Sequence, residues 1–308
     1  MINITDEFRK KVLDALLEAR SQYTGNDGNF AQIHGINKSV FSTLKRGKIQ
    51  QQLGNASWIT LGRHLGVTMN DHKWNVARTD VFNTIEEDVI FCQENSKARI
   101  YVDECGIGKS FTAKYLSRTR KDCFYVDASQ CKTKQTFIRE IARIIGVDHH
   151  DKYNEVKENI KYYLKIMSRP IIIVDEAGDL EYTALLELKE LWNATEGACG
   201  WYLMGADGLR HSIEKGIKNK KVGYRELFSR FSENYSSAVP IGRDQKMAFY
   251  QRMITQVLEA NMKDKTELNA IVRKCLTANG DSNQLGGLRR AESLYILLQE
   301  QQQRLQLA

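Results

Sequence analysis

A glycine-rich stretch near residue 105 has residue types and spacing suited to binding phosphate. Asp103–Ser110 reads DECGIGKS, which satisfies the pattern G-x-x-x-x-G-K-[ST] except that Asp103 stands at the first glycine. In such a loop, backbone N–H groups and the N-terminus of the following helix surround phosphate oxygens. Lys109 is expected to reach the β- and γ-phosphates, and the Ser110 hydroxyl to ligate Mg²⁺. The residues predicted to contact the nucleotide here are Cys105, Gly106, Ile107, Gly108, Lys109, Ser110 and Phe111.

Asp103 is the position at which this loop departs from the pattern. Asp adopts left-handed backbone angles more readily than most residues, so we expect Asp103 to make the opening turn. Asp103 and Glu104 also place negative charge near the phosphates, which is expected to weaken nucleotide binding. The alternative is a glycine turn without a ligand. It is disfavoured because a strand pattern, Ala98–Val102, precedes the loop and the helical segment FTAKYLSRTR follows it.

An acidic pair further along the chain supplies the second half of this chemistry. The apolar run Ile171–Val174 ends in Asp175 and Glu176, as in a buried parallel strand whose carboxyl end meets a ligand. Asp175 is expected to hold Mg²⁺ together with Ser110. Glu176 is expected to orient or deprotonate the attacking water, as phosphoryl transfer to water requires. The alternative interpretation of this acidic pair is a helix N-cap.

Alternating strand and helix patterns surround these two motifs. Strand composition recurs at Cys123–Val126, Trp201–Met204 and Ala238–Ile241, with helical periodicity between them. This alternation predicts a parallel sheet covered by helices on both faces. After Arg243 the pattern is helical to the end of the sequence. The expected fold class is therefore α/β, with a helical lid following the core.

The first part of the sequence has the pattern of a small all-α domain. Apolar residues recur at helical spacing over Asp6–Arg20, Phe30 falls in a short second helix, Gly35 permits a tight turn, and Asn37 caps a third helix. This order resembles the helix-turn-helix of the Cro and repressor family over roughly residues 6–67. The resemblance implies that the helix after Asn37 enters the major groove of DNA. The residues that would then face DNA are Lys38, Ser39, Ser42, Thr43, Lys45 and Arg46. The alternative is a protein-interaction module with solvated lysines.

Motifs along the whole sequence carry a closer resemblance. After the helix-turn-helix come GIGKS, IIIVDEAGDL, LELKEL, WYLMGADGL, ELFSRF and GGLRRAESL, in that order. The sequence resembles the AAA+ ATPases related to transposition protein B of phage Mu. The resemblance implies a P-loop ATPase that uses ATP and Mg²⁺. It also implies that Arg230 is an arginine finger for a neighbouring subunit's γ-phosphate, and that Arg289, or Arg290 beside it, senses the γ-phosphate from the lid. The alternative role for these arginines is a surface ion pair.

The same resemblance implies a function and partners. Such proteins hydrolyse ATP, bind DNA largely without sequence preference, oligomerise on it as helices or filaments, and deliver target DNA to a transposase in DNA transposition. The implied partners are double-stranded DNA, a transposase and further copies of this chain. Three other interpretations remain open: a replicative helicase loader, a nucleotide-regulated helix-turn-helix transcription factor, and a metabolic P-loop kinase.

One position departs from the pattern that the resemblance implies. The strand in YLMGAD should end in a polar residue that helps to position water, but Ala206 stands there and Asp207 follows it. Either Asp207 takes this role or hydrolysis is slow.

Basic residues within the ATPase region are candidates for contacting DNA phosphates. Ile217–Val222, preceded by Lys215, is interpreted as a basic loop, and a second basic pair follows the strand at Cys123–Val126. In a filament these residues are expected to line a channel and contact phosphates without reading sequence. They are Lys132, Lys134, Lys218, Lys220 and Lys221. The alternative is that both are solvated loops.

Composition fits this interpretation. A formal charge of +7 and a pI near 9.0 favour a polyanionic partner. No apolar run in the sequence is long enough to span a membrane, and the N-terminus lacks the features of a signal peptide, so a cytoplasmic protein is expected. The six cysteines form no CxxC pair and are expected to be reduced.

The expected domain organisation follows from these patterns. Residues 1–68 are assigned to the helix-turn-helix domain, 69–79 to a linker, 80–243 to the AAA+ α/β core and 244–308 to the helical lid.

Overall fold

The computed structural model describes residues 4–23, 25–69, 74–277 and 285–307. Residues 70–73 of the predicted linker lie outside these ranges. No helix in the described ranges is long and apolar enough to cross a membrane.

Four helices, joined by turns and loops, make up the described part of the N-terminal region. They are α1 (Asp6–Gln22), α2 (Asp27–Ile33), α3 (Lys38–Lys45) and α4 (Asn55–His64). Asn37 caps α3 with its side chain, and Gly35 makes the turn before it at φ 64°. Phe30, Phe41 and Leu44 are buried in a small core shared by these helices. The predicted order of helix, glycine turn and capped helix is therefore present.

A parallel sheet forms the centre of the molecule. Its strands are β1 (Ala98–Val102), β2 (Cys123–Asp127), β3 (Ile171–Asp175), β4 (Gly200–Gly205) and β5 (Tyr235–Ser236). Within the described residues the sheet has five strands in the order β2-β3-β4-β1-β5, and all of its pairs are parallel. The carboxyl ends of β1, β3 and β4 therefore lie side by side, and the predicted loop and acidic pair follow two of them.

Helices cover both faces of this sheet. Alternate strand residues face opposite sides, and the two faces bury separate apolar clusters. One face packs against α5 (Asp80–Asn95) and α6 (Lys109–Thr119). The other packs against the following helices: α7 (Lys134–Ile145), α8 (Tyr153–Ile166), α9 (Tyr182–Ala194), α10 (Asp207–Lys218) and α11 (Tyr224–Arg230).

The predicted helical lid is also present. It comprises α12 (Arg243–Asn261), α13 (Leu268–Leu276) and α14 (Leu288–Leu307). Its buried residues, such as Met253, Leu258 and Val272, join the apolar cluster that includes α5 and α6. The lid therefore packs on the same side of the sheet as α6, the helix that follows the phosphate loop.

Two local predictions were wrong. Ala238–Ile241 is not a strand, because the N–H groups of Ala238 and Val239 donate to the Asp103 carboxylate and Pro240 has no N–H to donate. The basic segment predicted as a loop begins inside a helix, since Lys215 and Lys218 lie in the last turn of α10. Only Asn219–Gly223 connects α10 to α11.

The N-terminal helices pack against the region that contains the sheet. α1 lies against α6, the helix that begins at the phosphate loop. Ile33 fills the space left by Gly146, where an added Cβ would lie 2.3 Å from the Ile33 Cδ1 atom. The hydroxyl groups of Tyr23 and Tyr163 are 3.0 Å apart, within hydrogen-bonding distance.

Candidate nucleotide site

The phosphate loop connects β1 to α6 in a conformation that needs its glycines. Gly106 and Gly108 have φ values of 75° and 98°, which residues with side chains rarely adopt. α6 begins at Lys109, directly after Gly108, so the free N–H groups of its first turn point into the loop. These geometries place a positive helix end and backbone donors around a single anion-sized site.

Lys109 lies at the base of this loop. It is 7% exposed, and its ammonium donates to the backbone carbonyls of Asp103 at 2.8 Å and Glu104 at 2.5 Å. The loop's own carbonyls therefore hold the charge of Lys109 within the loop.

The sequence predicted that Asp103 makes the opening turn with left-handed backbone angles. The structure shows that it does not. Within the described residues it is absent from those with positive φ, and the glycines provide that conformation instead. Its buried carboxylate accepts from the Tyr101 hydroxyl at 2.8 Å and from the N–H groups of Ala238 and Val239 at 2.7 and 3.1 Å. Asp103 therefore fixes the segment after β5 against the phosphate loop.

Glu104 is likewise directed towards a neighbouring helix. Its carboxylate forms an ion pair with Lys246 and accepts from the Tyr250 hydroxyl at 2.6 Å, both on α12. Burial and this hydrogen bond raise the pKa of Tyr250, so the hydroxyl remains a donor. Both acidic side chains of the loop therefore have donors of their own, which offsets the repulsion of phosphate that the sequence predicted.

The acidic pair lies at the carboxyl end of β3, next to this loop. Asp175 is 1% exposed, and its carboxylate accepts from the Tyr125 hydroxyl at 2.9 Å and from the Glu176 N–H at 3.0 Å. Glu176 has a φ of 50° and lines the same cleft as the phosphate loop. Burial and the neighbouring Asp175 charge raise the pKa of Glu176, although Lys109 opposes this shift.

These residues suit a magnesium ion bound together with a nucleotide. Mg²⁺ takes oxygen ligands and is usually held by one or two protein groups plus phosphate oxygens and water. The Ser110 hydroxyl, which lines the cleft, and the Asp175 carboxylate are oxygen ligands of this kind. Each Asp175 oxygen retains a lone pair beyond its hydrogen bond.

The lid contacts the phosphate loop through backbone. The Leu288 N–H donates to the Gly106 carbonyl at 2.7 Å, and a Cβ added to Gly287 would lie 2.6 Å from that oxygen. Arg289, the predicted sensor, lines the cleft together with Leu288 and Glu292, all on α14. Arg290 is not among the cleft-lining residues.

The cleft also has a part beyond the loop that is lined mostly by apolar residues. It is lined by side chains from the predicted linker, from α5 and from the lid: Trp74, Asn75, Ala77, Thr79, Phe82, Val257, Leu288 and Glu292. A planar base attached to a triphosphate in the loop would face this part of the cleft. An apolar pocket with a few polar groups is the usual form of such a subsite.

The sequence did not indicate several of these residues. Trp74 lies in a polar, aperiodic segment, and its isolated aromatic ring was the one available signal. Tyr125 lies on β2, and nothing in the sequence shows that its hydroxyl reaches Asp175 on β3. Lys246 and Val257 follow an ordinary helical pattern, and only the packing of α12 brings them to the site.

Arg230, the predicted finger, does not line this cleft. Its side chain lies at the end of α11, where it donates to Asn193 and to the Glu226 carbonyl and lies 5.5 Å from the Trp192 ring centre. Ala206 and Asp207 cap and begin α10 after β4, and Asp207 is exposed. Neither Ala206 nor Asp207 is among the residues that line the cleft.

The predicted DNA-facing residues of α3 share one exposed side of the N-terminal helices. Lys38, Ser39, Ser42, Lys45 and Arg46 are exposed, and Thr43 is half-buried. Some of their polar groups already have local partners: Ser39 bonds to Asn37, the Thr43 hydroxyl donates to the Ser39 carbonyl, and Lys45 pairs with Asp27 at 3.0 Å.

The basic residues predicted to contact DNA outside the N-terminal helices fall into two groups. Lys218, Lys220 and Lys221 are exposed around the end of α10, and the Lys221 ammonium lies 3.8 Å from the Tyr182 ring centre. Lys132 and Lys134 follow the edge strand β2. The Lys132 ammonium is 2.8 Å from Asp179, which raises the pKa of Lys132 and neutralises much of its charge locally.

Comparison with known proteins agrees with this architecture. Residues 102–213 match a protein-family model described as an AAA domain. This range contains the phosphate loop, the acidic pair and the strands β2, β3 and β4. No curated protein matches the chain. The match and the sheet order confirm the predicted α/β fold of a P-loop NTPase and support an AAA-type ATPase domain.

Proposed function

We propose that this protein hydrolyses ATP and uses the nucleotide to control binding to double-stranded DNA, on which it assembles and from which it delivers target DNA to a transposase. The observation that carries the ATPase part is the convergence of the phosphate loop, Glu176 and the lid residue Arg289 on one cleft. The transposition part rests on the resemblance of the sequence motifs to the AAA+ ATPases related to transposition protein B of phage Mu.

Each group around the cleft has a defined task in hydrolysis. The backbone N–H groups of Gly106–Ser110 bind the β- and γ-phosphates, and Lys109 exchanges its two loop carbonyls for phosphate oxygens. Ser110 and Asp175 would hold Mg²⁺, which would supply positive charge to the phosphates. Tyr125 orients the Asp175 carboxylate through its hydrogen bond. Glu176 accepts a proton from, or orients, the water that attacks the γ-phosphate.

The subunit is incomplete as a catalyst without a neighbour. Arg230 lies outside its own cleft, so its charge can stabilise a γ-phosphate only in an adjacent copy. Assembly in the nucleotide-bound state is therefore part of the proposed function.

Exposure and charge support the DNA part of the proposal. The side of α3 that carries Lys38, Lys45 and Arg46 is exposed, and the chain has a formal charge of +7. Contacts from lysine and arginine to phosphates give affinity without sequence preference.

The experiment that tests this function is binding to a random-sequence duplex with ATP, with ADP and without nucleotide, by anisotropy and electron microscopy. We expect the protein to assemble on DNA in the presence of ATP, and not with ADP or without nucleotide. Lys109→Ala should abolish ATP binding and these assemblies. Lys121→Ala is the matched control, because Lys121 is exposed and does not line the cleft.

Two results would contradict parts of the proposal. Duplex binding indifferent to nucleotide, with no ATP bound, would remove the ATPase function. A charge reversal of Lys45 and Arg46 that leaves duplex affinity unchanged, with Lys10→Glu on α1 as control, would remove α3 as a DNA-contacting element.

A further inference from the structure

The segment 74–79 joins three parts of the molecule around the cleft. We call residues 74–79 the strap. Its last residue, Thr79, caps α5 by accepting from the Phe82 N–H, which fixes that end to the ATPase core. Its first residues contact the lid, and its middle residues line the nucleotide cleft.

The contacts with the lid are specific hydrogen bonds. The Trp74 indole N–H donates to the Glu292 carboxylate on α14 at 2.9 Å, and its ring meets the Tyr295 ring edge-on at 6.1 Å. Asn75 exchanges bonds with Asn261 at the end of α12: its N–H donates to the Asn261 amide oxygen at 2.6 Å, and its carbonyl accepts at 3.2 Å. The Asn75 amide also donates to the Ala260 carbonyl at 2.8 Å.

The other side of the strap leads to the N-terminal helices over a short distance. Met69 is held there by the Lys11 ammonium, which donates to its carbonyl at 3.3 Å. Five residue steps separate Met69 from Trp74, so the chain between them spans at most about 18 Å. Trp74 and Met69 therefore lie within about 18 Å of each other along the chain.

The strap forms part of the wall of the nucleotide cleft. Trp74, Ala77 and Thr79 line the apolar part of the cleft that faces the base. A ligand shifts the equilibrium between two conformations of a protein by the difference in its affinity for them. If the strap moves between two positions, a nucleotide that touches it binds one of them more tightly. The same N-terminal helices also rest on α6, which begins at the phosphate loop.

We propose that the strap couples nucleotide occupancy to the DNA-binding state of the N-terminal helices, by closing on the base while Trp74 and Asn75 hold the lid. This inference rests on the proposed ATP and DNA binding and adds the route between the two sites. Because coupling is reciprocal, duplex should raise the affinity for ATP by the same factor as ATP raises the affinity for duplex. Such factors are about 5- to 150-fold.

The test uses the full chain and two measurements: hydrogen exchange of the 74–79 amides, and duplex affinity with and without ATP. In the wild type, ATP should slow exchange in the strap and raise duplex affinity. Asn261→Ala should remove most of both effects while the protein still binds a fluorescent ATP analogue. Trp74→Phe, which loses the bond to Glu292 and keeps an aromatic ring, should show the same change to a smaller degree.

Asn95→Ala is the matched control. Asn95 also lies at a helix end and donates to the carbonyl four residues earlier, at 2.9 Å, but it makes no contact with the strap. It should retain both effects of ATP. Circular dichroism of each variant checks that the fold is intact.

The possible failures are distinguishable. If the wild type binds the ATP analogue but the strap exchanges at the same rate, the strap proposal is wrong and the ATPase function stands. If Asn261→Ala keeps both effects, or Asn95→Ala loses them, the proposed route is wrong. If the wild type binds no nucleotide, the proposed function fails first and this inference fails with it.

Discussion

At the scale of single residues, Asp103 shows how a motif can change without losing its loop. Its carboxylate is committed to two backbone N–H groups after β5 and to the Tyr101 hydroxyl. A glycine at this position could not provide these bonds. The sequence predicted the loop correctly and assigned Asp103 the wrong task, because two of its carboxylate's donors, the N–H groups of Ala238 and Val239, lie more than a hundred residues away.

We therefore predict that restoring the consensus glycine is harmful. Asp103→Gly should leave the N–H groups of Ala238 and Val239 without their acceptor and lower the free energy of unfolding by about 2–4 kcal/mol. ATP affinity should not improve. Chemical denaturation and ATP titration would measure both quantities, with Glu196→Gln as a surface control. A more stable variant would show that Asp103 is not a structural acceptor.

A second residue-scale prediction concerns Glu176 and pH. Because burial and Asp175 raise its pKa, a larger fraction of Glu176 is protonated at mildly acidic pH than for an ordinary glutamate. A protonated carboxyl cannot accept a proton from water. The ATPase rate at saturating ATP should therefore rise with pH through this raised pKa and be lost as pH falls.

The variant Glu176→Gln tests the assignment. It should lower the ATPase rate by about 10²- to 10⁴-fold and leave ATP binding intact. The rate that remains should no longer fall at acidic pH. If Glu176→Gln kept both the ATPase rate and its fall at acidic pH, another group would be the base.

At the scale of elements, the fold was predictable wherever the hydrophobic period was clear. The strands β1 to β4 and the helices α7, α8, α9 and α12 follow unambiguous patterns, and β3 is continuously apolar because both of its faces are buried. β5 was misplaced because only Tyr235 and Ser236 pair with β1, too short a segment to show a period. The end of α10 was predicted as a loop because its lysines continue into the lysines that follow the helix.

The contacts between elements were less predictable than the elements themselves. The docking of the GGLRR segment on the phosphate loop depends on two backbone atoms, Leu288 N and Gly106 O, and backbone contacts leave almost no trace in residue types. Gly287 is the exception, because its lack of a side chain permits the close approach.

Gly287→Ala is the corresponding prediction. The new Cβ would lie 2.6 Å from the Gly106 carbonyl oxygen, so the lid must move away from the loop. ATP affinity should fall about tenfold, equivalent to about 1.4 kcal/mol. Gly208→Ala, where an added Cβ meets nothing within 4 Å, should bind ATP as the wild type does. If the two variants bound ATP with equal affinity, the contact between the lid and the phosphate loop would not contribute to ATP binding.

At the scale of the whole molecule, the proposed hydrolysis requires a second copy of the chain. The cleft holds the groups for binding phosphate and activating water, while Arg230 lies on another surface with Asn193 and Trp192 around it. No single-chain sequence pattern shows which surface of one subunit meets the cleft of the next. The position of Arg230 is thus a structural observation, and its action on a neighbour remains part of the proposal.

Mixing two inactive variants tests this directly. Arg230→Ala should keep ATP binding and lose hydrolysis by a factor of the order of 10³, since it lacks only the finger. Lys109→Ala should lack ATP binding but still present Arg230. Mixed in equal amounts with DNA, the two should recover a measurable fraction of the ATPase rate. No recovery on mixing, or full activity of Arg230→Ala alone, would exclude a finger at this position.

The exposed thiol in the phosphate loop has a practical consequence for all of these measurements. The described ranges include every cysteine of the chain, and among them Cys105 alone is exposed, while the other five are buried. A maleimide reagent applied to the folded protein therefore has one accessible target, and that target lies in the cleft. The native chain thus provides its own attachment point for a fluorophore or spin label in the phosphate loop, without any engineered cysteine.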